Sequence, residues 1–212
     1  MDEMQYLDTS EGTPQGGVIS PLLATIALHG MEQRIKDYAE TCDLKRSEGE
    51  YQLSKKQKRN TVSIIRYAYD FVILHKDLTV VQGCREIISE WLKDMGLELK
   101  HSKTRLKHTL YEHENQKPGF NFLGFHVQQY RMGKYTSGKN SNGTVLGFKT
   151  IITPSQEKCK LHYDLIKVVT TTHKGASQKR LIEKLNPIIR GWALLHQPTL
   201  LPQGCHLQMK LL

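Results

Sequence analysis

The sequence predicts an α+β chain in which antiparallel hairpins alternate with helices and give way to a helical module. Three observations lead there. Residues 61–76, TVSIIRYAYDFVILHK, are dense in β-branched and aromatic residues and split into two apolar halves around Ala68-Tyr69-Asp70. That pattern predicts a tight hairpin with Asp70 at its exposed tip. Residues 79–95 place Val80, Val81, Cys84, Ile87, Ile88, Trp91, Leu92 and Met95 on one helical face, with Gly96 as the stop. From Pro154 onward the periodicity is helical.

The remaining elements follow in order. TSEGTPQG (9–16) is a loop of turn formers. VISPLLATIALHGMEQRIKDYAE reads as one helix, capped by Ser20 with Pro21 in its first turn. The polar stretch 43–60, with KKQKR, reads as an exposed connection. LELKHSKTRLKH predicts strand, turn and strand, and FNFLGFHV (120–127) a short strand around Gly124. Residues 130–150, rich in Gly, Lys and Asn, predict a long hairpin or a flexible insertion. QEKCKLHYDLIKVVTTT and SQKRLIEKLNPIIRGWALLH give two helices, the second capped by Ser177 and kinked at Pro187.

The chain has 212 residues, 38% of them hydrophobic, and a formal charge of +9. This excludes fibrous and fully disordered classes. No apolar run is long enough to span a membrane, and the acidic start MDEMQYLDTSEG does not read as a signal peptide. Charge is unevenly placed: residues 1–60 carry 8 basic and 10 acidic side chains, residues 61–212 carry 22 and 11. A basic half fits either a polyanionic partner, nucleic acid being the usual one, or a merely solvated surface. Cysteines at 42, 84, 159 and 205 show no zinc spacing. Reduced thiols and a cytoplasmic location are expected.

Five segments, TPQGGVISPLLATIALHGME, RYAYDFVIL, GLELKHSKTRL, FNFLGF and LNPIIRGWALLH, occur in the order found in reverse transcriptases encoded by group II introns. The chain resembles that family, whose members are also maturases, over roughly residues 12–196. The resemblance implies a partial polymerase palm (1–126), a hairpin or linker (127–153) and a helical thumb or maturase-like segment (154–212). It places Gln15, Gly16 and Gly17 against template and nucleotide, where glycine permits close backbone approach; an ordinary turn is the other reading. Lys103 would lie near nucleotide phosphates as a point charge or general acid, or else be a solvated surface lysine. Gly124 would let the backbone approach the primer end, while Phe122 and Phe125 read first as core. Lys179, Arg180, Lys184 and Arg190 would contact phosphates, and Trp192 would anchor the core.

The departures matter as much. Where the family hairpin carries Tyr-Ala-Asp-Asp, this chain reads Tyr67-Ala68-Tyr69-Asp70. The family holds two Mg²⁺ ions on the first of those carboxylates and on another from an upstream strand. Here Tyr69 replaces the first with a neutral phenol. The upstream strand and the fingers are expected to be missing as well, leaving Asp70 as the single metal ligand. A catalytic pair of Mg²⁺ is then not expected to bind. RNA, as intron RNA or an RNA/DNA duplex, is the expected partner, and a separate fingers–palm fragment acting in trans is a further possibility. Leu22, Leu23, Ile26, Ile64 and Ile65 are expected to lose cover and lie partly exposed.

Overall fold

The computed structural model describes residues 19–44, 52–100 and 102–196, and the backbone of 209–211. The chain divides into two compact units, one running to Arg105 and the other starting at Leu106. The mixture of helices and antiparallel hairpins is the α+β class read from the sequence.

The first unit opens with α1 (Ser20–Ala27) and α2 (Met31–Thr41). The single helix expected here is broken at Gly30, whose φ of 91° lies in the left-handed region that glycine alone enters cheaply. Helix α1 begins with Ile19, not Ser20, as its cap and buries no residue. Helix α2 buries Met31, Ile35 and Ala39, four residues apart, on one stripe.

The expected loop at 43–60 contains a helix, α3 (Lys55–Thr61). Ser54 and Gln57 form a reciprocal capping box, with the Gln57 N–H donating to Ser54 Oγ and the Ser54 N–H to Gln57 Oε1. Arg59 fastens α3 to α2 through Asp37 and Glu40, each at 2.7 Å. Lys58 Nζ donates to the Cys42 carbonyl at 2.6 Å, placing a cation at the C-terminal end of α2.

Strands β1 (Ser63–Tyr67) and β2 (Asp70–His75) form the expected hairpin, in register from Ser63↔Leu74 to Tyr67↔Asp70. All five residues from Phe71 to His75 are buried. Alternate residues of a strand face opposite ways, so β2 is covered on both faces. Helix α4 (Leu78–Asp94) packs on β2 and α2 with Val80, Val81, Cys84, Ile88 and Leu92 buried. It stops as expected at Gly96: the Leu97 N–H reaches the Leu92 carbonyl and the Gly96 N–H the Lys93 carbonyl, both at 2.9 Å. Residues 97–100 are not the strand expected of them; they run irregularly into a turn closed by the Lys103 and Thr104 N–H groups on the Lys100 carbonyl.

In the second unit β3 (Leu106–His108) precedes a three-stranded antiparallel sheet of β4 (Phe120–Phe122), β5 (Phe125–Arg131) and β6 (Phe148–Pro154), in that spatial order. The single strand expected around Gly124 is therefore a hairpin. Leu123 (φ 49°) and Gly124 (φ 84°) both take positive φ, the two-residue turn that matches strand twist. Phe120 is buried, while Phe122 and Phe125 are half-buried. The β5–β6 pairing from Phe125↔Pro154 to Arg131↔Phe148 makes 130–150 a long hairpin. Helices α5 (Gln156–Thr172) and α6 (Gln178–Leu195) follow, with Ser155 and Ser177 in the cap positions. Pro187 sits inside α6 and cannot donate to the Glu183 carbonyl. A ladder joins them: His162 stacks on Trp192 at 4.2 Å, and His196 lies 3.8 Å from Trp192 on its way to Phe125. Neither helix has a fully buried residue. A short strand, β7 (Met209–Leu211), closes the described chain.

Two features of the first unit yield tests. A Cβ on Gly83 of α4 would collide with the hydroxyl and ring of Tyr38 from α2. Overpacking of this kind costs about 1–3 kcal/mol, more than the ~1 kcal/mol that alanine gains in a helix. Gly83→Ala should therefore lower the urea unfolding midpoint; an unchanged or raised midpoint contradicts the packing. His75 is fully buried, and desolvation, aided by Lys76 and opposed by Asp77, pushes its pKa below the ordinary 6.5. Its Nδ1 accepts the Asp77 N–H at 3.0 Å, as a neutral ring does. On acidification the unfolded chain takes up this proton before the folded one. The stability tied to neutral His75 is thus complete above about pH 6.5 and drains away below it. The melting temperature should fall between pH 7.5 and 5.5, and less steeply in His75→Gln.

Candidate catalytic hairpin and nucleic-acid interface

The hairpin tip is built by a two-residue turn, Ala68-Tyr69. Ala68 has φ 51°, a conformation that costs a residue bearing a Cβ roughly 1 kcal/mol and that the paired strands enforce. Because Phe71–His75 is sealed, the strand emerges at Asp70, which is exposed. Tyr67 and Tyr69 are 65% and 68% exposed. Pro21 and Thr25 of α1 complete a shallow recess of about 300 Å³ with Tyr67, Ala68, Tyr69 and Asp70. Asp70 supplies its one carboxylate.

This donor set does not fit a pair of divalent ions. Mg²⁺ favours hard anionic oxygens in octahedral array, and a phenol, with a pKa near 10 in its ordinary state, is a neutral ligand. Among the described residues no three His, Cys, Asp or Glu side chains gather to hold a metal ion. Lys103 is exposed in the 102–103 turn and does not line the recess. Gln15, Gly16 and Gly17 lie outside the described residues.

The apolar surroundings of the recess are open. Leu22, Leu23 and Ile26 are 60%, 48% and 63% exposed, and Ile65 on β1 is 41% exposed. Ile64 is half-buried.

In the second unit Gly124 is half-buried. Its carbonyl accepts the Ser155 N–H at 2.9 Å, and the stem of Lys158 lies where a Cβ would point. Lys179, Arg180, Lys184 and Arg190 are all exposed on α6. At 100° per residue they fall within an arc of about 140°, beside the arc of Leu181, Leu185, Ile188 and Trp192 that is partly covered. Glu183 interrupts the basic arc. Trp192 serves in the aromatic ladder rather than as a free platform. Residues 106–196 carry 14 basic and 5 acidic side chains, a net +9.

One polar constellation escaped the sequence reading. On β4 and β5, His126 Nδ1 meets Asn121 Oδ1 at 2.7 Å, His126 Nε2 meets Gln128 Oε1 at 3.2 Å, and the Tyr130 hydroxyl donates to the same Gln128 oxygen at 3.1 Å. The signal was present as polar residues at 126, 128 and 130, spaced by two, once the segment is recognised as a strand.

Antiparallel hairpins packed with helices, followed by two helices that carry a basic arc, define an α+β protein with a basic helical module. The family model for reverse transcriptase (RNA-dependent DNA polymerase) matches residues 2–127, more than half of the chain, and that for the group II intron maturase-specific domain matches residues 160–199. The chain belongs to the group II intron reverse transcriptase/maturase family. It is 28% identical to the group II intron-encoded protein LtrA of Lactococcus lactis subsp. cremoris over 206 positions, covering 76% of this chain and 33% of that protein. It is 30% identical to protein YkfC of Escherichia coli (strain K12) over 138 positions, covering 58% and 34%. The chain spans about a third of the length of these curated relatives. No described helix is long and apolar enough to cross a membrane.

Proposed function

We propose that this chain is an RNA-binding palm-and-thumb segment of a group II intron reverse transcriptase/maturase that does not polymerise by itself. The observation that carries the reading is Tyr69 beside Asp70 at the hairpin tip, one carboxylate where the chemistry needs several. The family uses Mg²⁺, which when bound activates the primer hydroxyl and stabilises the leaving pyrophosphate. Asp70 would be the metal ligand of this segment, and Lys103 a phosphate contact. Gln15, Gly16, Gly17 and Gly124 would approach template and primer through their backbones. Lys179, Arg180, Lys184 and Arg190 would grip RNA phosphates. The free thiols of Cys42, Cys84 and Cys159 support a reducing, cytoplasmic setting.

A second reading is favoured by the exposed Leu22, Leu23, Ile26 and Ile65 around the recess. A fingers–palm polypeptide covering this face would bring further carboxylates to Asp70 and complete a polymerase in trans.

Primer extension on an RNA template with Mg²⁺ tests both. The purified chain should extend no more than its Asp70→Ala variant; extension above that control overturns the first reading. Activity that appears only on adding a separate fingers–palm fragment selects the second. RNA binding is tested by its salt dependence. Affinity for a structured RNA should fall by roughly 10³-fold between 50 and 200 mM salt, as for about six phosphate contacts. Alanine at Lys179, Arg180, Lys184 and Arg190 together should flatten the log–log slope by about three.

A further inference from the structure

We propose that the β5–β6 hairpin is a docking finger for single-stranded RNA, with Tyr135 as the base-stacking platform and Lys134, Lys139 and Lys149 as phosphate contacts. The inference rests on the RNA-binding reading and says where a flexible strand of that RNA would lie.

Composition is the first support. From Phe125 to Pro154 the chain carries Arg131, Lys134, Lys139 and Lys149 and not one Asp or Glu. A surface of one sign with interleaved aromatics is the electrostatic footprint of nucleic-acid binding. Arg131 is engaged, with its guanidinium 2.8 Å from the Tyr111 hydroxyl and over that ring. The three lysines are exposed and form no ion pair with another described residue. They are available to an external anion.

Tyr135 is the second support. It is 97% exposed, the most exposed of the large hydrophobic and aromatic side chains described. No packing requirement explains an aromatic ring there. Nor is it on a loose loop. The Thr136 and Ser137 N–H groups bond the Gly133 carbonyl at 3.1 and 3.0 Å, closing a turn around it. Asn140 Oδ1 accepts the N–H groups of Asn142 and Thr144, and Gly138 bonds Phe148 across the hairpin. The ring is held out on an organised scaffold, so stacking a base on it costs little ordering entropy.

The sheet extends the surface. Tyr130 and Lys149 are cross-strand partners and so share a face. On that face Gln128 fixes the Tyr130 hydroxyl and His126, and Asn121 fixes the other side of the imidazole. These planar polar groups are locked edge to edge beside a half-exposed ring, so this face is set in advance rather than ordered on binding. Gly119 leaves the space they need, since a Cβ there would meet His126 and Gln128 at 2.9 Å. Single strands expose both base faces and base edges, whereas a duplex offers neither to a lone tyrosine.

The test uses the full chain and a fluorescent single-stranded RNA, with an RNA duplex for comparison. Two variants probe the hairpin: Tyr135→Ala, and Lys134→Ala with Lys139→Ala and Lys149→Ala. A control removes the same charge elsewhere, at the exposed Lys55, Lys56 and Lys93. Tyr135→Ala should weaken single-strand binding by roughly tenfold and leave duplex binding unchanged. The triple variant should flatten the log–log salt slope by about two, and the control should not. Circular dichroism melts should match the parent chain. Photo-crosslinking with 4-thiouridine RNA should label a peptide within 131–149. If the parent chain binds RNA with its full salt slope but both hairpin variants bind equally well, and crosslinks fall outside that peptide, the finger is wrong while the RNA-binding reading stands. If the parent chain shows no salt-sensitive RNA binding, or binds only anionic vesicles, both fall.

Discussion

The sealing of β2 governs the chemistry available to the first unit. Five consecutive buried residues, Phe71 to His75, resist sliding, because a one-residue slip would draw Asp70 or Lys76 into a covered position. The register with β1 then fixes Tyr67 opposite Asp70 and the two turn residues between them. The tip is therefore rigidly aimed, and its competence is decided by side-chain identity rather than by mobility. Two divalent ions 4 Å apart repel by about 4 kcal/mol even in bulk water, and more in a partly desolvated cleft. One carboxylate and one phenol leave most of that repulsion uncompensated. The two strands are fully paired up to the turn, and the tip carries a single carboxylate.

Elements whose own residues dictate their form were legible in the sequence. The hairpin was, because β-branched and aromatic runs flank a short centre. Helix α4 was, because its buried residues keep helical spacing and Gly96 supplies the left-handed stop. Helices α5 and α6 followed from periodicity, and α6 also from the serine at its cap, Ser177. Elements decided by a single backbone position were not. Nothing in the apolar spacing of residues 18–40 reveals that Gly30 divides two helices, since glycine is tolerated within helices at a modest cost. Helix α3 was hidden because its seven residues have no apolar stripe; its signal was the Ser54/Gln57 box, and its own Arg59 ties it to Asp37 and Glu40 of α2. The turn at Leu123-Gly124 was hidden because leucine seldom takes positive φ, and only the pairing of β4 with β5 imposes it.

The candidate site divides along the same line. Asp70 and the substitution at Tyr69 could be read directly, since the motif is contiguous in the chain. The recess could not, because Pro21 and Thr25 reach the tip through tertiary packing of α1. Lys103, which the family resemblance puts near nucleotide phosphates, is exposed and is not among the residues that line the recess. Gly124 gains an explanation the sequence did not offer: its conformation makes the turn, and Lys158 already fills the space above it. That observation accounts for the glycine whether or not a primer approaches.

The two units also differ in how their properties survive substitution. Metal catalysis is local and non-additive, for removing one member of a ligand set loses most of what the set did. Phosphate binding is distributed, each cation adding a similar, salt-screened increment. Fourteen basic side chains against five acidic ones in residues 106–196 can lose several members and still attract a polyanion. A chain with Tyr69 beside Asp70 at its hairpin tip and a basic second unit is therefore physically coherent. On the proposed reading, the single change would be sufficient to silence the first unit's chemistry, while the second unit's attraction for RNA would depend on no one residue. Binding could stand without catalysis because the two would draw on the same electrostatic law in different ways: a few charges crowded within a few ångströms, or many charges spread over a surface.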